Sequence, residues 1–302
     1  MRERAGPTTL GFVGLGVMGG ALAGHLAARA GARVIGFDVA APARAAARAR
    51  GVEAVGSVAA VAARAGVVFL SLPGAGEVEA VCTGPGGLLS AAAPAGRVVV
   101  DMSTIPAATA RRLGVAAAAA GAAFADAPVA GTADSVRERR VSVMVGASGE
   151  VYARIAPLLE SMAHSVLHCG PVGSGAATKL LLNAVLAQTG VALAETLTLA
   201  RRAGVDPDAL FEAYRRGCDS FVLRQHGMGA LLPGVFPPGR FPARYMLKDL
   251  GYALDLAAEH RVRLDGTAVA RRWLEASVAA GDGDAYWPVL VRRIEAGTGD
   301  AG

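Results

Sequence analysis

The stretch LGFVGLGVMGG, Leu10 to Gly20, constrains this chain more than any other. It places Gly14-x-Gly16-x-x-Gly19 between an apolar, strand-like run and an Ala-rich helical run. A second strand-like run, RVIGFD, follows and ends on Asp38. The three glycines have separate reasons. Gly14 permits a tight turn, Gly16 lets the backbone approach a pyrophosphate, and Gly19 allows the helix to pack closely on the strand. Leu15, Val17 and Met18 complete the loop, whose new helix offers free N–H groups and its positive end to the phosphates. In a chain with 40 glycines the motif alone is weak; the order strand, turn, helix, strand makes it a dinucleotide site. Asp38 lies at about the 20-residue spacing expected of a ribose-binding carboxylate. There it accepts hydrogen bonds from both ribose hydroxyls and repels a 2′-phosphate, which favours NAD. Two alternatives stay open: that Asp38 caps the next helix, and that Arg44 or Arg48 admits NADP.

The same alternation continues. GVVFLSLP, RVVVDMST, FADAPV, VSVMVGA and SVLHCG read as further strands, with Ala-rich helical runs between the early ones, such as ALAGHLAARAG with Gly31 at its C′ position. Strand and helix in repeated alternation imply a doubly wound α/β sheet. After Gly175 only helical runs remain, to about Glu295. They break at GVDPD, where Asp206 and Pro207 read as N-cap and first helical residue, and at LLPGVFPPGRFP. The expected organisation is an α/β Rossmann domain over 8–172 and an all-helical domain for substrate and oligomer contacts over 173–296, with a loose AGTGDAG tail and no internal repeat.

A chain of 302 residues, 53% apolar, holds two such domains and a large core. The net charge of +5 suits an anionic cofactor or an acidic substrate, and compositional drift towards Arg explains it as well. Scattered arginines and few aromatics argue against nucleic acid. Three distant cysteines, Cys82, Cys169 and Cys218, with no C-x-x-C, suggest reduced thiols and a cytoplasmic protein. The N-terminus has no continuous apolar region of the signal-peptide kind. The most apolar run, Leu180 to Ala200, contains Asn183, Gln188, Thr189 and Glu195, and so reads as a buried soluble helix and not a membrane span.

Of the 30 basic Lys and Arg residues only Lys179 and Lys248 are Lys, and Asn183 is the sole Asn. Lys179 and Asn183 are four residues apart and share a helix face. Their apolar neighbours suggest a helix packed on both sides, where an unpaired ammonium is costly. A desolvated Lys releases a proton near neutral pH and an Arg does not, so a proton-moving role explains a Lys in an Arg-rich chain. The alternative is a Lys that snorkels to water beside a helix-stabilising Asn.

Taken in order, GFVGLGVMG, SLPGAGEVEAV, VDMST, DAPVAG, GSGAATKLLLN and MLKDLGYAL resemble the β-hydroxyacid dehydrogenases, the family of 3-hydroxyisobutyrate and 2-(hydroxymethyl)glutarate dehydrogenases. The resemblance runs from about Leu10 to about Trp287. It implies an NAD-dependent enzyme, with NADP possible, that exchanges a hydride with a small 3-hydroxy acid. It also implies that Leu72 and Pro73 line the nicotinamide-ribose side, that Thr104 contacts the nicotinamide end, and that Lys248 closes the cofactor site from the helical domain. Lys179 becomes the catalytic lysine, Asn183 helps hold the substrate, and the chain is expected to form a homodimer or homotetramer. Rival readings are a semialdehyde or imine reductase on the same scaffold and a non-catalytic NAD-binding sensor.

The chain departs from the family in the substrate loop. Where the family has Ser-Gly-Gly, this chain has Ala130-Gly131-Thr132, followed by Ser135, Val136 and Arg139 at later small-residue positions. A hydroxyl is missing at Ala130, with Thr132 as a nearby replacement, and the preference is expected to move away from 3-hydroxyisobutyrate. RERR, Arg137 to Arg140, reads as a solvated face or as an attractor for an acidic substrate. His164 and His168 straddle a helix-to-strand change and make no metal pair, GPGG at 84–87 is a loop, and Glu195 suggests a buried or interfacial role. No metal is expected.

Overall fold

The structure, a computed structural model, describes residues 9–89 and 96–297. Thr8 and most of the AGTGDAG tail lie outside the described residues. The chain divides into two compact units at Lys179/Leu180, inside a helix.

In the first unit the strands are β1 (Thr9–Val13), β2 (Arg33–Phe37), β3 (Glu53–Ala54), β4 (Val67–Leu70), β5 (Val98–Asp101), β6 (Ala123–Asp126), β7 (Val129–Ala130), β8 (Ser142–Gly146) and β9 (Ser165–Gly170). Between them run α1 (Val17–Arg29), α2 (Ala41–Arg48), α3 (Val58–Ala62), α4 (Ala75–Thr83), α5 (Ala107–Ala119), α6 (Ala133–Arg137) and α7 (Gly149–Met162). The first six strands are parallel in the order β3-β2-β1-β4-β5-β6, the order of the Rossmann fold. Beyond β6 the direction reverses. β8 pairs antiparallel with β6 and β7, and β9 runs parallel to β8.

FADAPV, one strand by pattern, is two here. Pro128 has no N–H for the ladder, so β6 stops at Asp126 and β7 begins at Val129. Parallel strands covered on both faces read as continuous apolar runs, and β4 and β5 are buried throughout. On one face Leu10, Phe12, Phe69 and Val100 meet Leu22 and Leu26 of α1 and Ile155 and Leu159 of α7. On the other, Gly11 leaves room for Val61 of α3, whose Cγ1 would lie 2.6 Å from an added Cβ. Gly31, with φ +62°, follows the C-cap of α1 as the sequence implied.

The second unit is helical: the rest of α8 (Ser174–Ala203), then α9 (Pro207–Gly217), α10 (Ala243–Glu259), α11 (Asp265–Ser277) and α12 (Val291–Gly297), with a π-helical stretch at Leu223–Leu231. Asp206 caps α9 ahead of Pro207, its carboxylate accepting from the Asp208 N–H at 3.1 Å. Leu180, Ala187, Ala194 and Leu197 of α8 join Met246, Leu250, Leu274 and Trp287 in the core. Gly190 makes space for that tryptophan; a Cβ there would stand 2.3 Å from Trp287 Cη2. Only one face of α8 is covered, since Leu181, Val185 and Leu199 are exposed, and so is Glu195. Among the described residues α8 alone is long and apolar enough to cross a membrane; half of its most apolar window is buried in the protein, as in a core helix.

Candidate active site

The carboxyl ends of the parallel strands carry most of the residues singled out in the sequence. Val13, Phe37, Leu70, Asp101 and Asp126 end β1, β2, β4, β5 and β6. The Gly14–Gly19 loop, Asp38, Leu72 with Pro73, Thr104, and Ala130–Thr132 follow at that edge, and open α/β sheets bind ligands there.

The glycine loop separates glycines the protein needs from one it does not. Gly14 has φ +89°, and a Cβ on it would lie 2.1 Å from the Ser71 carbonyl oxygen; one on Gly19 would lie 2.0 Å from the Gly14 carbonyl oxygen. Both are demanded by the turn itself. At Gly16 an added Cβ meets nothing within 4 Å. Gly16 and Val17 are exposed, and α1 begins at Val17 without a side-chain cap. The bare backbone at Gly16 and the uncapped N–H groups therefore face outward, and they fit a pyrophosphate. Asp38 holds this arrangement in place: its Oδ2 accepts from the Leu15 N–H at 2.7 Å and its Oδ1 from the Ala40 N–H at 2.8 Å. Each oxygen keeps a further lone pair for a ribose hydroxyl. The helix-capping alternative is met only in part, because the N-cap of α2 is Ala40. Arg44 lies alongside and donates to the carbonyls of Asp38 and Val39 at 2.6 and 3.0 Å.

On the other side of β1, the Leu72 N–H donates to Ser103 Oγ at 2.9 Å, and the Ser103 N–H donates to Asp101 Oδ1 at 3.0 Å. This chain of bonds ties the ends of β4 and β5 together beside Thr104. Leu72 is half-buried and Pro73 exposed.

The segment from Ala130 to Arg140, expected to face the substrate, makes many local contacts. Ala130 ends β7, Gly131 takes φ +150°, and Thr132 is the N-cap of α6. The Thr132 hydroxyl accepts from the Ser135 N–H at 3.2 Å and bonds the Ser135 hydroxyl at 3.0 Å. It is thus engaged at the helix start. Val136 belongs to the core. The RERR charges are engaged locally: Arg137 with Asp134, Arg140 with Glu138, and Arg139 with the Glu160 carbonyl at 2.8 Å. His168 Nε2 bonds the Ala147 carbonyl at 2.9 Å and its ring stacks on Tyr152.

Lys179 is 7% exposed and Asn183 fully buried, one turn apart on α8. In the second unit Asn183 Nδ2 donates to Asp249 Oδ2 at 2.7 Å, and Lys248 Nζ stands 2.9 Å from Asp249 Oδ1. Lys248 also lies 5.0 Å from the Tyr252 ring centroid.

Besides Asp101 at the end of β5, two further buried carboxylates were not picked out from the sequence. One is Asp249. The other is Asp126, which accepts the N–H groups of Gly173 and Ala176, both at 2.6 Å, where α8 begins. Burial pushes the Asp126 carboxyl above the ordinary carboxylate range, against the pull of those N–H groups. Space around it is tight enough that a Cβ on Gly146 would lie 2.6 Å from Asp126 Oδ1. Both stand inside quoted motifs, DAPVAG and MLKDLGYAL, but only their burial and partners distinguish them from surface acids.

Fold and glycine loop define the first unit as a Rossmann-type dinucleotide-binding domain, followed by a helical unit. Residues 9–170 match the family model described as the NAD binding domain of 6-phosphogluconate dehydrogenase. Residues 173–293 match the one described as NAD-binding of NADP-dependent 3-hydroxyisobutyrate dehydrogenase. The chain is 34% identical over 291 residues to the 2-(hydroxymethyl)glutarate dehydrogenase of Eubacterium barkeri, covering 96% of each chain. It is 36% identical over 257 residues to the 3-hydroxyisobutyrate dehydrogenase of Pseudomonas aeruginosa, covering 82% of this chain and 84% of the relative. Among solved structures, the Mycobacterium tuberculosis 3-hydroxyisobutyrate dehydrogenase with L-serine superposes with a TM-score of 0.86 at 32% identity, covering 95% of this chain and 99% of that one. The chain belongs to the β-hydroxyacid dehydrogenase family, and it is an NAD(P)-dependent oxidoreductase acting on the CH–OH group of 3-hydroxy acids.

Proposed function

We propose that this enzyme oxidises a small, acidic 3-hydroxy acid, resembling 3-hydroxyisobutyrate, with NAD, and that Lys179 relays the proton. The observation that carries the reading is the burial of Lys179 next to Asn183 on α8, in a chain that uses Arg almost everywhere else. Bound NAD supplies the hydride acceptor. Gly14, Leu15, Gly16, Val17, Met18 and Gly19 hold its pyrophosphate by backbone N–H groups. Asp38 takes the ribose hydroxyls, and Leu72, Pro73 and Thr104 flank the nicotinamide end. Arg44 beside Asp38 leaves NADP as a weaker alternative.

The substrate carboxylate takes backbone N–H donors at Ala130, Gly131 and Thr132. As the hydroxyl-bearing carbon loses its hydride, the hydroxyl proton passes to neutral Lys179 Nζ and the carbonyl forms. In the reductive direction the ammonium returns the proton. The exposed apolar side chains Leu181, Val185 and Leu199 on α8 support a homodimer or homotetramer. The three free cysteines support a cytoplasmic protein.

Turnover of a panel of 3-hydroxy acids with NAD identifies the substrate. Lys179→Arg keeps the charge but releases no proton near neutral pH, so it should lose roughly 10²–10⁴-fold in kcat while NADH still binds. An Lys179→Arg enzyme with ordinary turnover and pH profile would move the relay elsewhere.

A further inference from the structure

Asn183 has two ends of nearly the same shape, and its partner decides which end goes where. Asp249 is 2% exposed and its carboxylate, paired with Lys248, accepts hydrogen bonds only. It must meet the amide NH₂, and the Nδ2–Oδ2 distance of 2.7 Å is that bond. The carbonyl Oδ1 of Asn183 is then turned away from Asp249. It is buried and has no hydrogen-bond partner among the described residues. A buried acceptor left without a donor is costly, so the position is suited to receive one from outside the helix core.

We propose that Asp249 is a positioning residue that makes Asn183 an acceptor in the site, so that Asn183 engages the reacting hydroxyl and not the substrate carboxylate. The inference rests on the reading of Lys179 and Asn183 given above. A carboxylate tail offers no proton to Oδ1. The substrate O–H does, and so does the ammonium formed on Lys179, one turn away on the same helix. Held this way, the carbonyl orients the hydroxyl before its proton leaves and favours the charged lysine that results. Lys248 acts through Asp249: it neutralises the buried carboxylate that holds the amide.

The test exchanges the two groups. Asn183→Asp combined with Asp249→Asn keeps the bond between positions 183 and 249, with the amide now at 249, and still presents an acceptor oxygen from position 183. It is compared with Asn183→Leu and Asp249→Asn as single variants. The assay uses NAD and either 2-(hydroxymethyl)glutarate or 3-hydroxyisobutyrate, whichever turns over faster. If Asn183 accepts, the exchanged enzyme recovers at least tenfold in kcat over Asn183→Leu. The acid limb of its pH profile also moves up by about one pH unit, because a carboxylate near Lys179 favours the ammonium. Asp249→Asn alone, which frees the Asn183 amide to turn, lowers kcat by at least tenfold with NADH affinity unchanged. An exchanged enzyme that folds but is as inactive as Asn183→Leu overturns the proposal, as does an Asp249→Asn enzyme with unchanged kcat and pH profile. Should Asp249→Asn fail to fold, the exchanged variant still decides. Full activity in Asn183→Leu or Lys179→Ala would instead refute the underlying reading of those two residues.

Discussion

Three alanine variants of one loop separate what the fold needs from what the cofactor needs. Gly14→Ala places a Cβ 2.1 Å from the Ser71 carbonyl oxygen, where ordinary contact begins at 3.4 Å, and forces a side chain onto φ +89°. The dihedral alone costs about 1–2 kcal/mol, and moving backbone by more than 1 Å adds about 1–3 kcal/mol of overpacking. A loss of about 3 kcal/mol or more follows. Gly19→Ala meets the Gly14 carbonyl oxygen at 2.0 Å; the gain in helix propensity of about 1 kcal/mol offsets part of the clash, and a loss of about 1–2 kcal/mol is expected. Gly16→Ala meets nothing in the protein and sits at φ −64°, so stability should stay within about 0.5 kcal/mol. Its methyl stands where the pyrophosphate must approach. Losing one hydrogen bond to a charged group there costs about 1.5–3 kcal/mol, which is roughly a 10- to 150-fold rise in Kd. Urea unfolding of the cofactor-free protein gives the stabilities, and NADH fluorescence titration gives the Kd. A Gly16→Ala protein as unstable as Gly14→Ala, or one that binds NADH with an unchanged Kd, would refute the reasoning.

Asp38→Ser should raise the NADP-to-NAD ratio of kcat/KM by at least tenfold, with some loss for both cofactors because Leu15 loses its acceptor; a wild type that already prefers NADP sinks the assignment. His226, bonded to Tyr286 and buried, has its pKa pushed down to about 4 from 6.5 by burial and, to a lesser degree, by Arg240. Its folded pKa lies below the unfolded one, so stability present above pH 6.5 is lost as pH falls towards 4, by about 3 kcal/mol at most; in His226→Phe this part of the acid loss should vanish from urea titrations. Asp126 has the opposite sign: burial raises its pKa, so the fold binds the proton more tightly and this contribution declines as pH rises from about 4 through the raised value. Asp126→Asn lacks that slope, and its stability difference from wild type should shrink between acid and neutral pH; a constant difference would show that the group does not titrate between the two states.

Legibility followed the physics of each feature. The glycine loop could be read because its turn, the helix start and the strand end at Asp38 are local in sequence, and the parallel order of β1 to β6 follows from strand–helix alternation. The reversal at β8 could not, because an apolar run looks the same in either direction. Pro128 marked the break between β6 and β7, yet the run FADAPV hid it. Lys179 and Asn183 stood out by rarity. Asp126 and Asp249 did not, because an acid is common and only its burial, brought about by distant segments, makes it costly enough to matter. The exposure of Leu181 and Val185 was missed for the same reason: an apolar helix that contributes to a core by one face has the composition of one buried on both.

The segment from Ala130 to Val136 shows how a departure from a family motif can be taken up by the fold itself. Thr132 stands where Gly is usual, and its hydroxyl caps α6 with Ser135. Removing a cap of this kind costs about 0.5–2 kcal/mol, so Thr132 has a reason to be there that involves no substrate. Val136 fills the core, and its carbonyl accepts from His25 Nε2 of α1 at 2.9 Å. These residues anchor α6 to the domain. The proposed substrate contacts are then left to Ala130 and Gly131: an absent hydroxyl on the first and bare backbone at φ +150° on the second. On the proposed reading such a surface would offer backbone N–H groups to a substrate carboxylate and withhold a side-chain oxygen.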